Sequence, residues 1–202
     1  MVVTAAPLKT TKPTKSEKPK APARRRLVTG EELIAMGDTG LCELIDGRIV
    51  RMNPAGLSHA VLVSNLVAAL AVFARPRKIG QVLSGEVGIY TRRNPDTVRA
   101  ADIALISQER LTGMTSRGYL TVAPELIVEV ISPTDRWQDV RQKLEEYFAI
   151  GVQRVWIVEP DKRTVLVYAA SADVRAFREG DTLIGEGVLE GFALPVGDLF
   201  EE

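Results

Sequence analysis

The sequence predicts an α/β domain, and three stretches carry that expectation. Glu125 to Ser132 reads Glu-Leu-Ile-Val-Glu-Val-Ile-Ser, apolar at both parities, which is the pattern of a central strand covered on both faces. Val61, Leu62, Leu66, Leu70 and Phe73 recur at helical spacing, giving a helix with an apolar face to lay on a sheet. Asp46-Gly47 sits between two short runs, Leu41–Ile45 and Arg48–Met52, and is the strongest short-range hairpin signal because both turn positions need positive φ.

In chain order, Thr29 and Glu32 have the spacing of a capping box, so a short helix should run from there to Met36. The two-residue hairpin follows. Ser58 is placed to cap the long apolar helix, and Pro76 ends it. Strands are expected over Gln81–Tyr90, Asp102–Ser107 and Glu125–Ser132. A helix from about Arg136 to Ile150 precedes Gly151, which can terminate it in the left-handed conformation. Arg154–Val158 and Thr164–Tyr168 read as a further hairpin. The stretch Phe192–Phe200 suggests only a short strand and an edge segment. No internal repeat is present.

Composition narrows the chemistry. Cys42 is the only cysteine and His59 the only histidine, which excludes an internal disulfide and zinc sites built on several thiolates or imidazoles. The apolar stretch Ala60–Ala74 is shorter than the ~20 residues that cross a bilayer, no secretory leader is evident, and a cytoplasmic address is expected. The formal net charge of zero hides a segregation: residues 1–26 carry +7 and the remainder carries −7. With four prolines and few large apolar side chains, residues 1–26 read as a disordered basic tail, and residues 27–202 as one domain. That tail is a solubilising leader or an arm for nucleic acid, with an organellar transit peptide a third reading.

Several polar residues stand where a core is expected. Glu129 lies within an apolar strand, and an ionised carboxylate buried without a partner costs several kcal/mol. Asp102 opens Asp-Ile-Ala-Leu-Ile, and Glu43 is flanked by Cys42, Leu44 and Ile45. Three oxygen-donor acids suit a hard cation such as Mg²⁺ or Mn²⁺. Lys143 falls at the margin of the apolar face made by Trp137, Val140, Leu144, Tyr147 and Phe148. Each also has an ordinary reading. Glu43 would face solvent in an alternating hairpin, Asp102 would start a strand, and Glu129 would be half of a structural ion pair. Lys143 would be a boundary lysine with its ammonium in water.

Taken in order, Glu43-Leu-Ile-Asp-Gly47, Ser58-His59, Ala101-Asp102-Ile-Ala-Leu-Ile, Pro124-Glu-Leu-Ile-Val-Glu-Val-Ile-Ser-Pro133, Lys143-Leu-Glu-Glu-Tyr147, Gly151-Val and Val155-Trp-Ile-Val-Glu-Pro160 resemble the Uma2 family of restriction-endonuclease-like proteins, also catalogued as domain of unknown function 820. The resemblance spans about residues 30 to 200. It implies the PD-(D/E)XK nuclease fold, a mixed central sheet flanked by helices, and metal-dependent hydrolysis of phosphodiester bonds. By position it implies Glu43, Asp102 and Glu129 as metal-binding acids and Lys143 as the catalytic lysine, with Mg²⁺ or Mn²⁺ as the cofactor. Two positions depart from the superfamily pattern: Ala101 stands for the proline, and Ile131 stands where the strand lysine is usual, so Lys143 must substitute from the following helix. Nucleic acid, with DNA expected, is the implied partner, no membrane is involved, and homodimerisation is left open. A non-catalytic nucleic-acid or protein-binding module with the same fold is the alternative reading, and an accessory protein of a mobile element is a third. His59 has no assigned role at this point.

Overall fold

A computed structural model describes residues 26–114, 118–133 and 135–201. The expected basic tail therefore lies, apart from Arg26, outside the described residues.

Helix α1 (Gly30–Ala35) starts at Thr29, whose hydroxyl accepts from the Glu32 amide while the Glu32 carboxylate accepts from the Thr29 amide, the expected capping box. Strands β1 (Cys42–Ile45) and β2 (Arg48–Arg51) form the hairpin, with Asp46 and Gly47 both at positive φ, 49° and 70°. Helix α2 (Leu57–Ala74) follows. Its cap is Gly56, not Ser58, and no side chain caps it; the helix begins two residues earlier than the hydroxyl suggests. Strands β3 (Gly80–Arg92) and β4 (Thr97–Ser107) make a long antiparallel pair. A short α3 (Gln108–Leu111), β5 (Leu126–Val130), α4 (Trp137–Ala149), β6 (Arg154–Glu159), β7 (Thr164–Ala170) and β8 (Asp173–Arg178) follow. Two short strands, β9 (Thr182–Ile184) and β10 (Ala193–Pro195), pair apart from the main sheet, and α5 (Val196–Leu199) ends the fold.

The main sheet is mixed, with the order β2-β1-β4-β5-β6-β7-β8, and β3 on β4; β5 and β6 are its parallel pair. Alternation in the central strands feeds two cores. Leu126, Val128, Val130, Trp156 and Val158 pack with Leu62, Leu66 and Leu70 of α2. Ile127, Val155 and Ile157 pack with Val140, Leu144 and Tyr147 of α4. This is the helix-flanked α/β sheet that the sequence predicts. By length and composition α2 could cross a bilayer, but Leu62, Leu66, Leu70 and Phe73 are buried against the sheet.

Two boundaries differ in ways that matter. Asp102 does not open its strand; β4 begins at Thr97, and Asp102 is in its middle. Thr97, Arg99 and Asp102 break the apolar pattern yet are buried, because the Asp46 amide, the Glu146 carboxylate and the Val130 amide satisfy them in turn. At the C-terminal end the residues after β10 form the turn of helix α5, which buries Val196 and Leu199 three apart on one face, rather than an edge segment.

The interruption of one ladder sets the stage for the site. β3 occupies one edge of β4 from Thr97 to Ser107, so β1 and β5 share the other. β1 pairs there only at Val98, and β5 only over Ile103–Leu105. Arg99 to Asp102 lie between, along an edge where side chains replace the missing strand.

Candidate active site

Four acids, a lysine and an arginine meet at this gap. Glu43 projects from β1, and its Oε1 accepts from the Ala100 amide at 3.1 Å, filling the backbone bond that no strand offers. Its Oε2 accepts from Arg99 Nη1 at 2.8 Å. Asp102 acts similarly on the other side: Oδ2 accepts from the Val130 amide at 2.7 Å, just where β5 leaves β4. Glu129 shares the parity of Ile127 and so faces α4.

Helix α4 presents Lys143, Glu146 and Tyr147, spaced i, i+3 and i+4, to these acids. The Lys143 ammonium lies 3.1 Å from Glu43 Oε1 and 3.2 Å from Glu129 Oε2. Tyr147 donates its hydroxyl to Glu129 Oε1 at 2.6 Å. Glu146 takes the Nε and Nη2 donors of Arg99. The result is a partly buried chain of alternating charge, Glu146, Arg99, Glu43, Lys143, Glu129, capped by the Tyr147 hydroxyl. A pocket of about 80 Å³ opens beside Glu129, Lys143 and Tyr147.

The sequence-based candidates are thus brought together, and some ordinary readings fall. Glu43 is 6% exposed and does not face solvent. The Lys143 ammonium lies between carboxylates, not in water. Residues not singled out from the sequence also belong here: Arg99, Glu146, Glu86 and Tyr147, the last read only as part of an apolar face. His59, at the start of α2, places Nε2 3.2 Å from Asp102 Oδ2, while its Nδ1 is buried with no hydrogen-bond partner among the described residues. Glu86 Oε2 is orphaned in the same way. The Arg in this set had a signal, a lone cation in an otherwise apolar strand; Glu86 had none, because its placement depends on a bulge.

Negative charge is in surplus. Glu43, Glu86, Asp102, Glu129 and Glu146 face only Arg99, Lys143 and the imidazole of His59. Burial, reinforced by Asp102 and Glu43 against the opposing pull of Lys143, pushes the Glu129 carboxyl up to about 7. Burial and then Asp102 raise Glu86. The hydrogen bond to Asp102 raises His59. For Lys143, burial favours the neutral amine, but Glu129 and Glu43 outweigh it and hold the ammonium charged.

The donor set suits a hard cation: carboxylate oxygens, no thiolate, and an orphaned carboxylate oxygen close by. Asp102 and Glu129 fit that role. Glu43 has two cations and an amide on its oxygens, whereas Glu129 has one cation, Lys143, and the Tyr147 hydroxyl. Among the described residues, no three His, Cys, Asp or Glu are already grouped as a metal site.

Comparison with known proteins agrees with the architecture. A family model described as "Putative restriction endonuclease" matches residues 31–197. The crystal structure of a "putative nuclease belonging to DUF820" from Anabaena variabilis is similar, with a TM-score of 0.72 and 21% identity, covering 86% of this chain and 97% of that one. No curated protein matches.

Proposed function

The chain belongs to the Uma2 family, and from that premise we propose that it is a divalent-metal-dependent endonuclease hydrolysing phosphodiester bonds in DNA. One observation carries the proposal: Asp102 and Glu129 project from neighbouring central strands, with the Lys143 ammonium 3.2 Å from Glu129, at a gap in the sheet edge. An acid pair with an adjacent fixed cation suits metal-assisted phosphodiester hydrolysis.

Asp102 and Glu129 would hold Mg²⁺ or Mn²⁺. When bound, such an ion polarises the phosphate and lowers the pKa of water. The protein's own groups do the rest. The Val130 amide fixes Asp102 Oδ2, and Tyr147 fixes Glu129 Oε1. Lys143 supplies a preorganised positive charge for the phosphate oxygens as their charge grows, at no cost of reorganisation. Glu43 positions Lys143, and Arg99 positions Glu43. His59 Nε2 donates to the same Asp102 oxygen, Oδ2. Residues 1–26 would add an electrostatic arm that offsets the −7 of the remaining chain on a polyanion. The cytoplasm is the address consistent with this reading.

A binding module that retains the fold is the rival, favoured by the lack of a ready three-acid metal group among the described residues. One incubation separates them. The purified protein is mixed with supercoiled plasmid, single-stranded DNA and RNA, with and without Mg²⁺ or Mn²⁺. Metal-dependent nicking of plasmid is expected; no cleavage of any substrate would leave the binding module.

A further inference from the structure

The β3–β4 ladder is irregular at one place. Ser84 pairs with Ile103 and Val87 with Ala101, so two residues, Gly85 and Glu86, oppose the single residue Asp102. This is a β-bulge, with Gly85 at φ 90° and Glu86 at φ 59°. Glycine tolerates that conformation, but a glutamate there is strained. Bulges beside active sites re-aim a side chain. Here the side chain is a carboxylate, set across the sheet from another carboxylate.

On the far side of Asp102 the register Ile103↔Val128 carries over to Glu129. Three neighbouring strands therefore bring Glu86, Asp102 and Glu129 into one row. Like charges directly opposite one another on a sheet repel, so the row needs a counter-charge. Glu129 has Lys143 and Tyr147, and Asp102 has His59 and the Val130 amide. Glu86 feels Lys143 and His59 only as neighbouring charges, and its Oε2 is buried without a hydrogen bond. Glu43, the third acid expected from the sequence, is already saturated by Arg99, Lys143 and the Ala100 amide.

We propose that Glu86 is the third carboxylate of the cation site, completing the row Glu86, Asp102, Glu129 in the place expected for Glu43. This rests on the reading of Asp102 and Glu129 as metal-binding residues. The unpaired oxygen of Glu86, on a side chain with three rotatable bonds, is the donor free to turn toward an ion, directly or through a water on it.

The test is calorimetric titration of Mn²⁺ into the full chain and four variants: Glu86→Gln, Glu86→Ala, Glu43→Gln and Asp102→Asn, each first checked for cooperative melting. Glu86→Gln and Glu86→Ala should weaken Mn²⁺ binding about 10- to 100-fold, as losses around a metal site do, and more than Glu43→Gln, which acts only through Lys143. Without metal, Glu86→Gln should melt slightly higher than the parent, because a repelling charge is gone, and Mn²⁺ should raise its melting temperature less than it raises the parent's. Unchanged Mn²⁺ affinity in both Glu86 variants, with loss in Asp102→Asn, overturns the assignment of Glu86 alone. Absence of Mn²⁺ binding by the parent protein overturns both that assignment and the metal reading beneath it.

Discussion

Arg99 and Glu146 are joined by two parallel hydrogen bonds, Nε to Oε2 at 2.7 Å and Nη2 to Oε1 at 2.8 Å, which tie β4 to α4. The remaining arm of the guanidinium reaches Glu43 at 2.8 Å. With 5% of its side chain exposed, Arg99 is the buried hub on which the position of Lys143 depends.

Removing that hub leaves two carboxylates without their cation. Arg99→Met should cost about 3 kcal/mol or more of folding stability, the usual loss when one partner of a buried pair is deleted. Arg99→Lys should recover only part, since an ammonium cannot make the forked contact. Urea unfolding measures both; a loss below about 1 kcal/mol for the methionine variant would show that the cluster relaxes without its hub.

Lys143→Met keeps the apolar stem against Leu144 and its neighbours but deletes the charge. Turnover should fall by about 10² or more if the ammonium stabilises developing negative charge. Glu129 would also lose the cation that opposes its burial, so the pH needed for activity should move upward. Cleavage rates across pH 6 to 9 decide it: an unchanged rate and profile would make Lys143 a structural counter-ion only.

Asp102→Asn and Glu129→Gln should abolish metal-dependent cleavage while leaving the fold nearly intact. The reason lies in retained geometry: an amide oxygen can still accept from Val130 or Tyr147, so only charge is lost. Melting temperatures should stay within about 4 °C of the parent, equivalent to ~1 kcal/mol. Cleavage at parental rates by either variant would remove that residue from the site.

The raised Glu129 carboxyl gives two opposite pH dependences. A cation binds the carboxylate form, so below about 7 it must displace a proton, and Mn²⁺ affinity should climb with pH by up to about tenfold per unit before levelling above 7. Folding without metal runs the other way. The stability contributed by protonated Glu129 is fully present below the ordinary value of 4.5 and is lost as pH rises through about 7. Titrations at pH 6, 7 and 8, with matched melts, check both signs; flat affinity would place the coupled proton elsewhere.

Deleting residues 1–26 should weaken binding to duplex DNA and flatten its salt dependence, with little change in turnover at saturating substrate. Each phosphate neutralised contributes about −0.9 to the slope of log K against log salt, so a +7 arm engaged in part should account for roughly 2 to 5 units. Binding to labelled duplex at several salt concentrations gives the slopes. Identical slopes would make the segment a leader without an electrostatic part.

The hairpin, the central strands and both long helices were legible because each carries a local signal. Asp46-Gly47 fixes a turn, and alternation or helical spacing marks a buried face. What escaped depends on contacts distant in sequence. Thr97 and Arg99 look unlike strand interior until Asp46, Glu43 and Glu146 are placed around them. β8 lies at the sheet edge with most of its residues exposed, so no apolar rhythm announces it. The four candidate site residues stood out as carboxylates or a lysine among apolar neighbours, and the family resemblance, not that contrast alone, gave them roles. Glu86 lacked that contrast, standing between Gly85 and Val87 in a strand whose two-for-one opposition appears only with its partner present. The shift of the helix cap from Ser58 to Gly56 is smaller, a choice between residues that can both begin a helix.

The Val130 amide donates to a side chain where its neighbours along β5 donate to a strand. That nitrogen is therefore a resident reporter. Its proton resonance senses the electron density on Asp102 Oδ2, and its exchange with deuterium senses whether that oxygen stays in place. A single labelled valine would let an observer watch the carboxylate gain or lose a neighbour in real time, without nucleic acid and without turnover.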